Sequence, residues 1–378
     1  MVTHKADVAV VGGGIAGLAH AYVAARAGSS VVLFERSQQA AGASIRNFGL
    51  LWPIGQPHGP MLSMALRSRD IWRDVLAGSR LPCFETGSLH LTYRDDEEAV
   101  AREFAAKGPE LGYRCSWITP DEAARRAPNV DPDGLRGALW SETEITVDPR
   151  LIVARLPEWL AAEFGVVLRY GHAVRSIGFP AVRTASETWE AGRVIVCSGD
   201  DFETLFPEHH RNSGIVRCKL QMMRTQPQPD GWGLGPALAA GLTLRFYPSF
   251  RICESLAAYR ERVASETPHY ERWGIHVMAS QTPGREVTIG DSHEYGNHVD
   301  IFNRDEIDSA ILHYLRGFLR LPNERIAQRW YGVYAKHTEK PFVRFEPEAG
   351  VTVVTALGGA GMTLSFGLAE DTWNRIQA

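Results

Sequence analysis

The chain opens with Asp7-Val-Ala-Val-Val11, a β-branched apolar run with the pattern of a short buried strand. Gly12 to Gly17 reads as a tight turn, and Ile15 to Ala27 as an Ala-rich helix stopped by Gly28. A second buried strand follows at Ser30-Val-Val-Leu-Phe34, completing a βαβ unit. Leu62, Leu66, Ile71, Val75 and Leu76 recur at helical spacing and predict an amphipathic helix over Pro60 to Gly78. After Pro82 the pattern becomes mixed short strands and helices. A second α/β stretch begins at Asp148. It reads as a helix over Pro149 to Phe164, strands at Val166 to Leu168, Ala173 to Ile177 and Arg193 to Cys197, and a helix over Asp200 to Phe206.

Long alternating segments at Val216 to Arg224, Leu242 to Tyr247 and Ile275 to Ser280 predict an antiparallel sheet, the last pairing with Glu286 to Ile289. An amphipathic helix is predicted over Arg304 to Leu319. The parallel style then returns with a strand at Gly350 to Thr355, a turn at Gly358 to Gly361 and a helix over Met362 to Ile376. No repeat or low-complexity linker separates the two styles, so the chain reads as two interleaved domains rather than two in series. The division expected is 1–80, 146–214 and 325–378 for a cofactor domain, and 81–145 and 215–324 for a substrate domain.

Composition narrows this picture without redirecting it. The 378 residues are 44% hydrophobic and 22% charged, the balance of a folded chain with a sizeable core. The net charge is −4 and the 40 basic residues are scattered, so no footprint for nucleic acid is visible. Only five of those 40 are Lys (Lys5, Lys107, Lys219, Lys336, Lys340), which makes a Lys close to a chemical motif notable. The five Cys are odd in number, far apart and without a C-x-x-C, which speaks against disulfides, a zinc ribbon and a dithiol centre. Val8 to Ala25 is an uncharged run after Lys5 that could imitate a signal peptide or membrane span, but its glycines fit the βαβ turn better. The expectation is a cytoplasmic protein with no membrane span.

Gly12-Gly13-Gly14-Ile15-Ala16-Gly17 is G-x-G-x-x-G between a strand and a helix. Gly12 permits the turn, Gly14 lets backbone approach a pyrophosphate, Gly17 lets helix and strand pack closely, and the helix N-terminus offers N–H donors. Glu35 ends the second strand, where a carboxylate can accept from both hydroxyls of an adenosine ribose, and it disfavours a 2′-phosphate. FAD and NAD share this fingerprint. Gly231-Trp-Gly-Leu-Gly235 has no strand before it, and Gly359-Ala-Gly361 lacks a third glycine, so no second fingerprint follows. One fingerprint and a glycine turn opening the last helix suit one long cofactor.

These residues resemble the FAD-dependent D-amino acid oxidase-like superfamily, which includes glycine oxidase and sarcosine oxidase. The likeness runs through the N-terminal fingerprint with Glu35-Arg36, Ala43-Ser44-Ile-Arg46-Asn47, Val194 to Cys197 with Ser198-Gly199, and Gly358-Gly-Ala-Gly-Met-Thr363. The resemblance implies an α/β fold, a Rossmann-type FAD-binding domain interleaved with an antiparallel-sheet substrate domain. It implies FAD contacts at Gly12, Gly14, Ile15, Gly17, Glu35, Arg36, Ser44, Arg46, Asn47, Val174, Ser198, Gly199, Gly359, Gly361, Met362 and Thr363. A narrower likeness, to a subgroup proposed to oxidise aminophosphonates in phosphonate breakdown, rests on Arg46-Asn-Phe-Gly-Leu-Leu-Trp-Pro-Ile-Gly-Gln-Pro57, Gly274-Ile-His-Val-Met-Ala-Ser-Gln281 and Ile289-Gly-Asp-Ser-His293. It implies oxidative deamination of 2-aminoethylphosphonate or a hydroxy or N-methyl relative.

Departures from better-known relatives refine the expectation. Sarcosine oxidases tether FAD through a Cys in the segment matching Trp330-Tyr-Gly-Val-Tyr334, and none of those five is Cys, which implies non-covalent FAD. Glycine oxidase-like enzymes hold a carboxylate with an Arg aligning near Tyr334, and here Lys336 and His337 are the nearby cationic residues. A phosphonate carries up to two charges on three tetrahedral oxygens and wants several donors, whereas a planar carboxylate suits one bidentate Arg. Lys336 and His337, with Tyr247 and Gln56, are the candidate anion cluster, against the plain reading of Lys336 as a surface lysine before a turn. His276 is the candidate cation near the flavin, although a lone strand His is more often structural. Trp52 and Tyr247 are candidate pocket walls. Asp291-Ser-His293 holds three adjacent residues, which do not make a hydrolase triad by themselves, and His209-His210 lacks further metal ligands.

The mechanism expected is hydride transfer from the carbon bearing a neutral amine to flavin, giving an imine that water hydrolyses, with oxygen the expected acceptor. Rival readings are oxidation of glycine, sarcosine or another small amine, a flavin-binding protein without turnover, and an NAD-dependent dehydrogenase.

Overall fold

The computed structural model describes residues 3–377. Two large sheets and one small sheet organise them. In the first, β1 (Thr3–Val11) lies between β2 (Val31–Glu35) and the strand Thr188–Val196, and all three run parallel. Val167–Tyr170 extends the parallel sheet beyond β2, and Val351–Thr355 extends it beyond Thr188–Val196. β2 is buried at every position, as a central parallel strand covered on both faces must be. Helix α1 (Ile15–Arg26), Pro149–Phe164 and Gly361–Gln377 pack on one face in a shared apolar core with Leu18, Leu33, Ile195 and Phe366. The uncharged run Val8–Ala25 is therefore the end of β1, a turn and most of α1, and no helix among the described residues is long and apolar enough to cross a membrane.

The second sheet has nine strands, and its longest ladder joins Ile215–Thr225 to Ile326–His337, antiparallel from Ile215 opposite His337 to Thr225 opposite Ile326. Val287–Gly290 and Glu294–Gly296 pair with the other edge of Ile215–Thr225, and Met278–Gln281 pairs with Val287–Gly290 as the alternation predicted. Asp305–Arg316 is the expected amphipathic helix, burying Ile307, Ile311 and Leu315. The small third sheet joins Leu50–Leu51 and Cys83–Phe84 to Ile145–Val147. All five Cys are free, as their spacing predicts.

Four segments depart from the sequence reading. Asp200–Phe206 is not helical: the Asp201 carboxylate accepts from the Glu203 and Thr204 amides (3.3 and 3.0 Å) and from the Thr204 hydroxyl, a local alternative to helix, and the helix starts at Pro207. Leu242–Tyr247 is not a strand. Gly241–Leu244 makes one helical turn with all four residues buried, Leu242 and Leu244 in the core, so the alternation of apolar and polar residues there does not mark a strand face. Ala173–Ile177 shrinks to a strand at Ser176–Gly178, because the preceding residues turn along the edge of the cofactor cavity. Ile326–His337, grouped with the cofactor portion in the division at residue 325, is bonded throughout to the nine-stranded sheet.

The helices Pro60–Ser79 and Gly361–Gln377 approach closely at Gly367, where a Cβ would overlap the Met64 carbonyl oxygen. Gly367→Ala should therefore cost about 1–3 kcal/mol of stability by overpacking. Urea denaturation should show a lower midpoint at unchanged slope, whereas an unchanged midpoint would mean that these helices separate freely.

Candidate cofactor and substrate site

A cavity of about 730 Å³ runs from the C-terminal ends of β1 and β2 to the strand Ile326–His337 of the other sheet. Gly12 and Gly14 form its floor. Gly12 has φ +111°, and a Cβ there would overlap the Cys197 carbonyl oxygen, while a Cβ on Gly14 would come within 2.9 Å of the Ser44 hydroxyl. Gly17 does not line the cavity. It lies against Gly12, whose carbonyl oxygen a Gly17 Cβ would overlap, so its role is the close packing of α1. The N-cap Gly14 offers no side-chain cap and the first turn has no acidic residue, so the positive end of α1 faces the cavity unneutralised. Ile15 lines the wall and its amide donates to Ser44 Oγ at 2.9 Å.

Glu35 Oε2 accepts from the Gly13 amide at 2.9 Å and Oε1 from the Ser37 amide at 3.0 Å, which fixes the carboxylate at the end of β2. Arg36, Val174, Ser198 and Gly199 line the same end, with Arg36 paired to Asp201 at 2.8 Å. Toward the other sheet, Arg46 lines the cavity and donates to the Tyr331 carbonyl at 3.2 Å. Asn47 stands behind the wall, donating to the Ala43 and Ser44 carbonyls at 3.0 and 3.1 Å and so shaping the loop. Of the last turn, Gly361 lines the cavity, while Gly359, Met362 and Thr363 do not. The Met362 carbonyl accepts from Trp72 Nε1 at 2.8 Å, and Thr363 Oγ1 accepts from the Trp52 amide at 2.9 Å. Thr363 thus fixes Trp52.

Sequence reasoning missed the wall formed by Tyr331, Val333, Tyr334 and Ala335. Part of this stretch stands out in the sequence only by its lack of Cys. Alternation shows that one face of a strand is buried, but not that backbone from a second sheet closes a cavity. An elongated cavity with side-chain-free backbone at a helix N-terminus and a carboxylate about one β-strand away fits an adenine dinucleotide such as FAD.

Trp52, Gln56, Tyr247, His276, Lys336 and His337 do not line this cavity; Lys336 lies next to its wall, where a Cβ on Gly358 would come 3.7 Å from Lys336 Cγ, and it stands among a cluster of rings. Its ammonium donates to the Tyr295 hydroxyl at 3.2 Å and lies 5.7 Å from the Phe246 ring centre and 5.1 Å from that of Tyr295. Burial lowers the Lys336 pKa. Trp52 and Tyr247 stand 6.2 Å apart, and Gly55 separates them, with room for no side chain: a Cβ there would lie 2.6 Å from both. Gln56 is buried beside this turn, its carbonyl accepting from Tyr113 at 2.6 Å. His276 packs on Phe246 at 3.9 Å between ring centres, and on Tyr247 at 5.7 Å.

Two expectations are corrected. Strand alternation turns His337 to the face opposite Lys336, where Nδ1 accepts from the Glu339 and Lys340 amides at 3.0 and 3.1 Å, so His337 closes a turn. Burial pushes the His276 imidazole well below its usual pKa, so its surroundings favour the neutral ring over the expected cation. The structure also adds residues to the cluster: Asp291 lies 3.1 Å from His276 Nε2 and 3.9 Å from His293 Nε2. Asp291-Ser292-His293 makes no hydrolase triad by itself, and nothing in its spacing points to His276 as its partner across the ladder.

Comparison with known proteins agrees with this geometry. The model of the family described as FAD dependent oxidoreductase matches residues 7–375. Among curated relatives, the chain is 25% identical over 209 residues to glycine oxidase of Geobacillus kaustophilus (strain HTA426), covering 52% of this chain and 55% of that protein. It is 31% identical over 177 residues to one of the subunits of anaerobic glycerol-3-phosphate dehydrogenase of Escherichia coli (strain K12), covering 46% of this chain and 32% of that one. The chain thus spans about half or less of the length of these relatives. The fold is that of a solved glycine oxidase from Bacillus cereus ATCC 14579, with TM-score 0.78 at 18% identity over 99% of this chain and 95% of the other. It is also that of L-proline dehydrogenase from P. horikoshii, with TM-score 0.76 at 20% identity over 98% and 92% of the two chains.

Glu35→Ala removes the acceptor that both organises the glycine turn and faces the nucleoside end. Flavin fluorescence titration of the apoprotein should show affinity for FAD weakened about 10–100-fold, the worth of a hydrogen bond to a charged group. Unchanged affinity would remove Glu35 from cofactor binding.

Proposed function

The chain belongs to the FAD dependent oxidoreductase family, and from that premise we propose that it oxidises a small anionic amine to the aldehyde. The substrate class is 2-aminoethylphosphonate or a hydroxy or N-methyl relative, the FAD is held non-covalently, and oxygen is the electron acceptor. The observation that carries this reading is Lys336. Among the described residues no carboxylate pairs with it, and its surroundings are rings, a phenol and desolvating protein. A partly buried cation without a counter-ion is costly unless an anion joins it, which makes it a natural seat for an anionic tail.

When bound, FAD supplies the two-electron oxidation of the amine to an imine, which water hydrolyses to the carbonyl product and the released amine. The chain's own groups bind and orient. Lys336 and the Tyr295 hydroxyl give donors to tetrahedral oxygens, Lys336 as a compact point charge. Trp52 and Tyr247 are apolar walls that exclude water from the carbon to be oxidised. Their placement is set from outside the pocket, by Thr363 on the Trp52 amide and by Gly55 between the rings. Tyr247 also donates to Met278 Sδ at 3.4 Å, and burial raises its pKa, so it keeps its proton and adds no second anion to the pocket.

One curated relative is named for glycerol-3-phosphate, whose anionic end is a tetrahedral phosphoryl group, and another is named a glycine oxidase. The two names mark the alternatives that an anaerobic flavin spectrum separates. Bleaching by 2-aminoethylphosphonate or its hydroxy or N-methyl relatives and not by glycine or sarcosine is expected, and the reverse pattern would assign the site to small amino acids. Acid precipitation should leave flavin in the supernatant; flavin in the pellet would overturn non-covalent binding. Lys336→Ala should raise KM for the phosphonate by at least about tenfold, on the order of 1.4 kcal/mol. An unchanged KM would remove Lys336 from the site.

A further inference from the structure

We propose that His276, Asp291 and His293 form a binding site for a divalent metal ion of the zinc type, with an open coordination position for an oxygen of the anion held by Lys336. The second half rests on the substrate reading above, and the first does not. His276 and Asp291 lie just beyond the ends of the neighbouring strands Met278–Gln281 and Val287–Gly290 and exchange backbone hydrogen bonds of 3.3 and 2.9 Å, and their side chains meet, with Nε2 3.1 Å from Oδ1. His293 lies two residues beyond Asp291, its ring stacked beside that of His276 at 5.2 Å between centres. One ligand atom from each of the three falls within 4.8 Å of the others, and the side chains are 2%, 9% and 3% exposed.

The way these atoms meet is not that of an ordinary hydrogen-bonded network. His276 Nε2 and Asp291 Oδ1 are 3.1 Å apart, yet neither has a hydrogen-bond partner, because the carboxylate oxygen lies off the line of the ring N–H. Two atoms that ligate a common ion would stand this close without a hydrogen bond between them, and 3.1 Å suits adjacent ligands each about 2.0–2.2 Å from zinc. Nδ1 of His293 lies 2.9 Å from the Gly274 carbonyl, which makes Nδ1 the protonated nitrogen and leaves the Nε2 lone pair free on the Asp291 side. A backbone carbonyl that sets the tautomer of a His in this way is a frequent second layer of metal sites. The Phe246 ring lies against both imidazoles, at 3.9 and 4.3 Å between centres, and holds them in place.

Charge agrees with the assignment. Two neutral imidazoles and one carboxylate around a dication leave one positive charge. Lys336, on the same Phe246 and Tyr295 rings, adds a second. Together they balance a dianionic phosphonate, which Lys336 alone does not. Three protein ligands leave a fourth position open in a tetrahedral site.

The test uses the flavin-loaded full chain, prepared without chelator and without a metal-binding tag. Elemental analysis after dialysis against Zn²⁺ and removal of the excess should find about one zinc per flavin. Replacement by Co²⁺ should give d–d bands at wavelengths longer than the flavin absorption. Asp291→Asn and His293→Gln should each lose the metal while keeping flavin. Should either variant fail to hold flavin, the zinc content and cobalt bands of the unaltered chain decide alone. Zinc below about a tenth of an equivalent, or full retention in both flavin-loaded variants, overturns the site. Methylphosphonate, which carries no amine, should shift the cobalt bands, and bands that do not move overturn the open position while the metal site stands. Metal bound to protein whose flavin no amine bleaches would refute the amine-oxidation reading and leave the metal inference intact; amine bleaching in protein that never takes up metal would do the opposite.

Discussion

Three backbones meet without a side chain between them where β1 ends, and the cofactor half of the molecule depends on that meeting. Gly12 fits under the Cys197 carbonyl, and Gly17 fits over the Gly12 carbonyl, so α1 sits directly on the sheet with its first amides at the cavity floor. Any Cβ at either position would push the helix away and remove the oriented N–H donors from the place where a pyrophosphate would lie. The Ser44 hydroxyl on the Ile15 amide and the Glu35 carboxylate on the Gly13 amide then fix the loops on either side of the turn. Side-chain chemistry at this end follows from a backbone constraint.

That constraint also explains what the sequence makes legible. A turn that only glycine can make leaves a local mark, so the βαβ unit, Glu35 and the cavity-lining Ser198-Gly199 can be read from a short window. The parallel strands were readable because burial on both faces leaves nearly continuous β-branched runs. Long helices with one apolar face, Pro60–Ser79 and Asp305–Arg316 among them, were readable for the same kind of reason. Pattern misleads where local hydrogen bonding outcompetes it, as at Asp201, or where a helical turn is buried all round, as at Gly241–Leu244, so that its apolar spacing does not report a face.

The substrate end is different in kind. Trp52, Tyr247, His276, Asp291 and Lys336 come from five separate segments, and only the nine-stranded sheet and the loop after Leu51 bring them together. Proximity in sequence misled in both directions. Lys336 and His337 are neighbours in the chain but point to opposite faces, whereas His276 and Asp291 are fifteen positions apart and face each other across a ladder. Lys scarcity marks Lys336 in the sequence, but that no carboxylate among the described residues pairs with it is a tertiary fact.

The electrostatics of this end follow from burial, which is deep around His276, Asp291 and His293 and partial at Lys336, whose partner Tyr295 is half exposed. Burial pushes His276 well below its usual pKa and holds His293 at about 3, raises Asp291, and lowers Lys336. Each group is driven toward its uncharged form, and Cys218, on the same sheet face, is likewise pushed up to about 12. In such surroundings the ionic form of Lys336 is costly until a partner of the opposite sign joins it. The proposed anionic amine would bring such a partner to Lys336, and the proposed divalent cation would bring one to Asp291. Binding energy realised in this way depends on excluding water, because the same charges in solvent would be worth a small fraction of it. On the proposed reading, Trp52, Phe246 and Tyr247 would strengthen the hold on an anion by keeping water from Lys336. Substituting any of the three by a smaller side chain would weaken the attraction of Lys336 for an anion while leaving Lys336 itself in place.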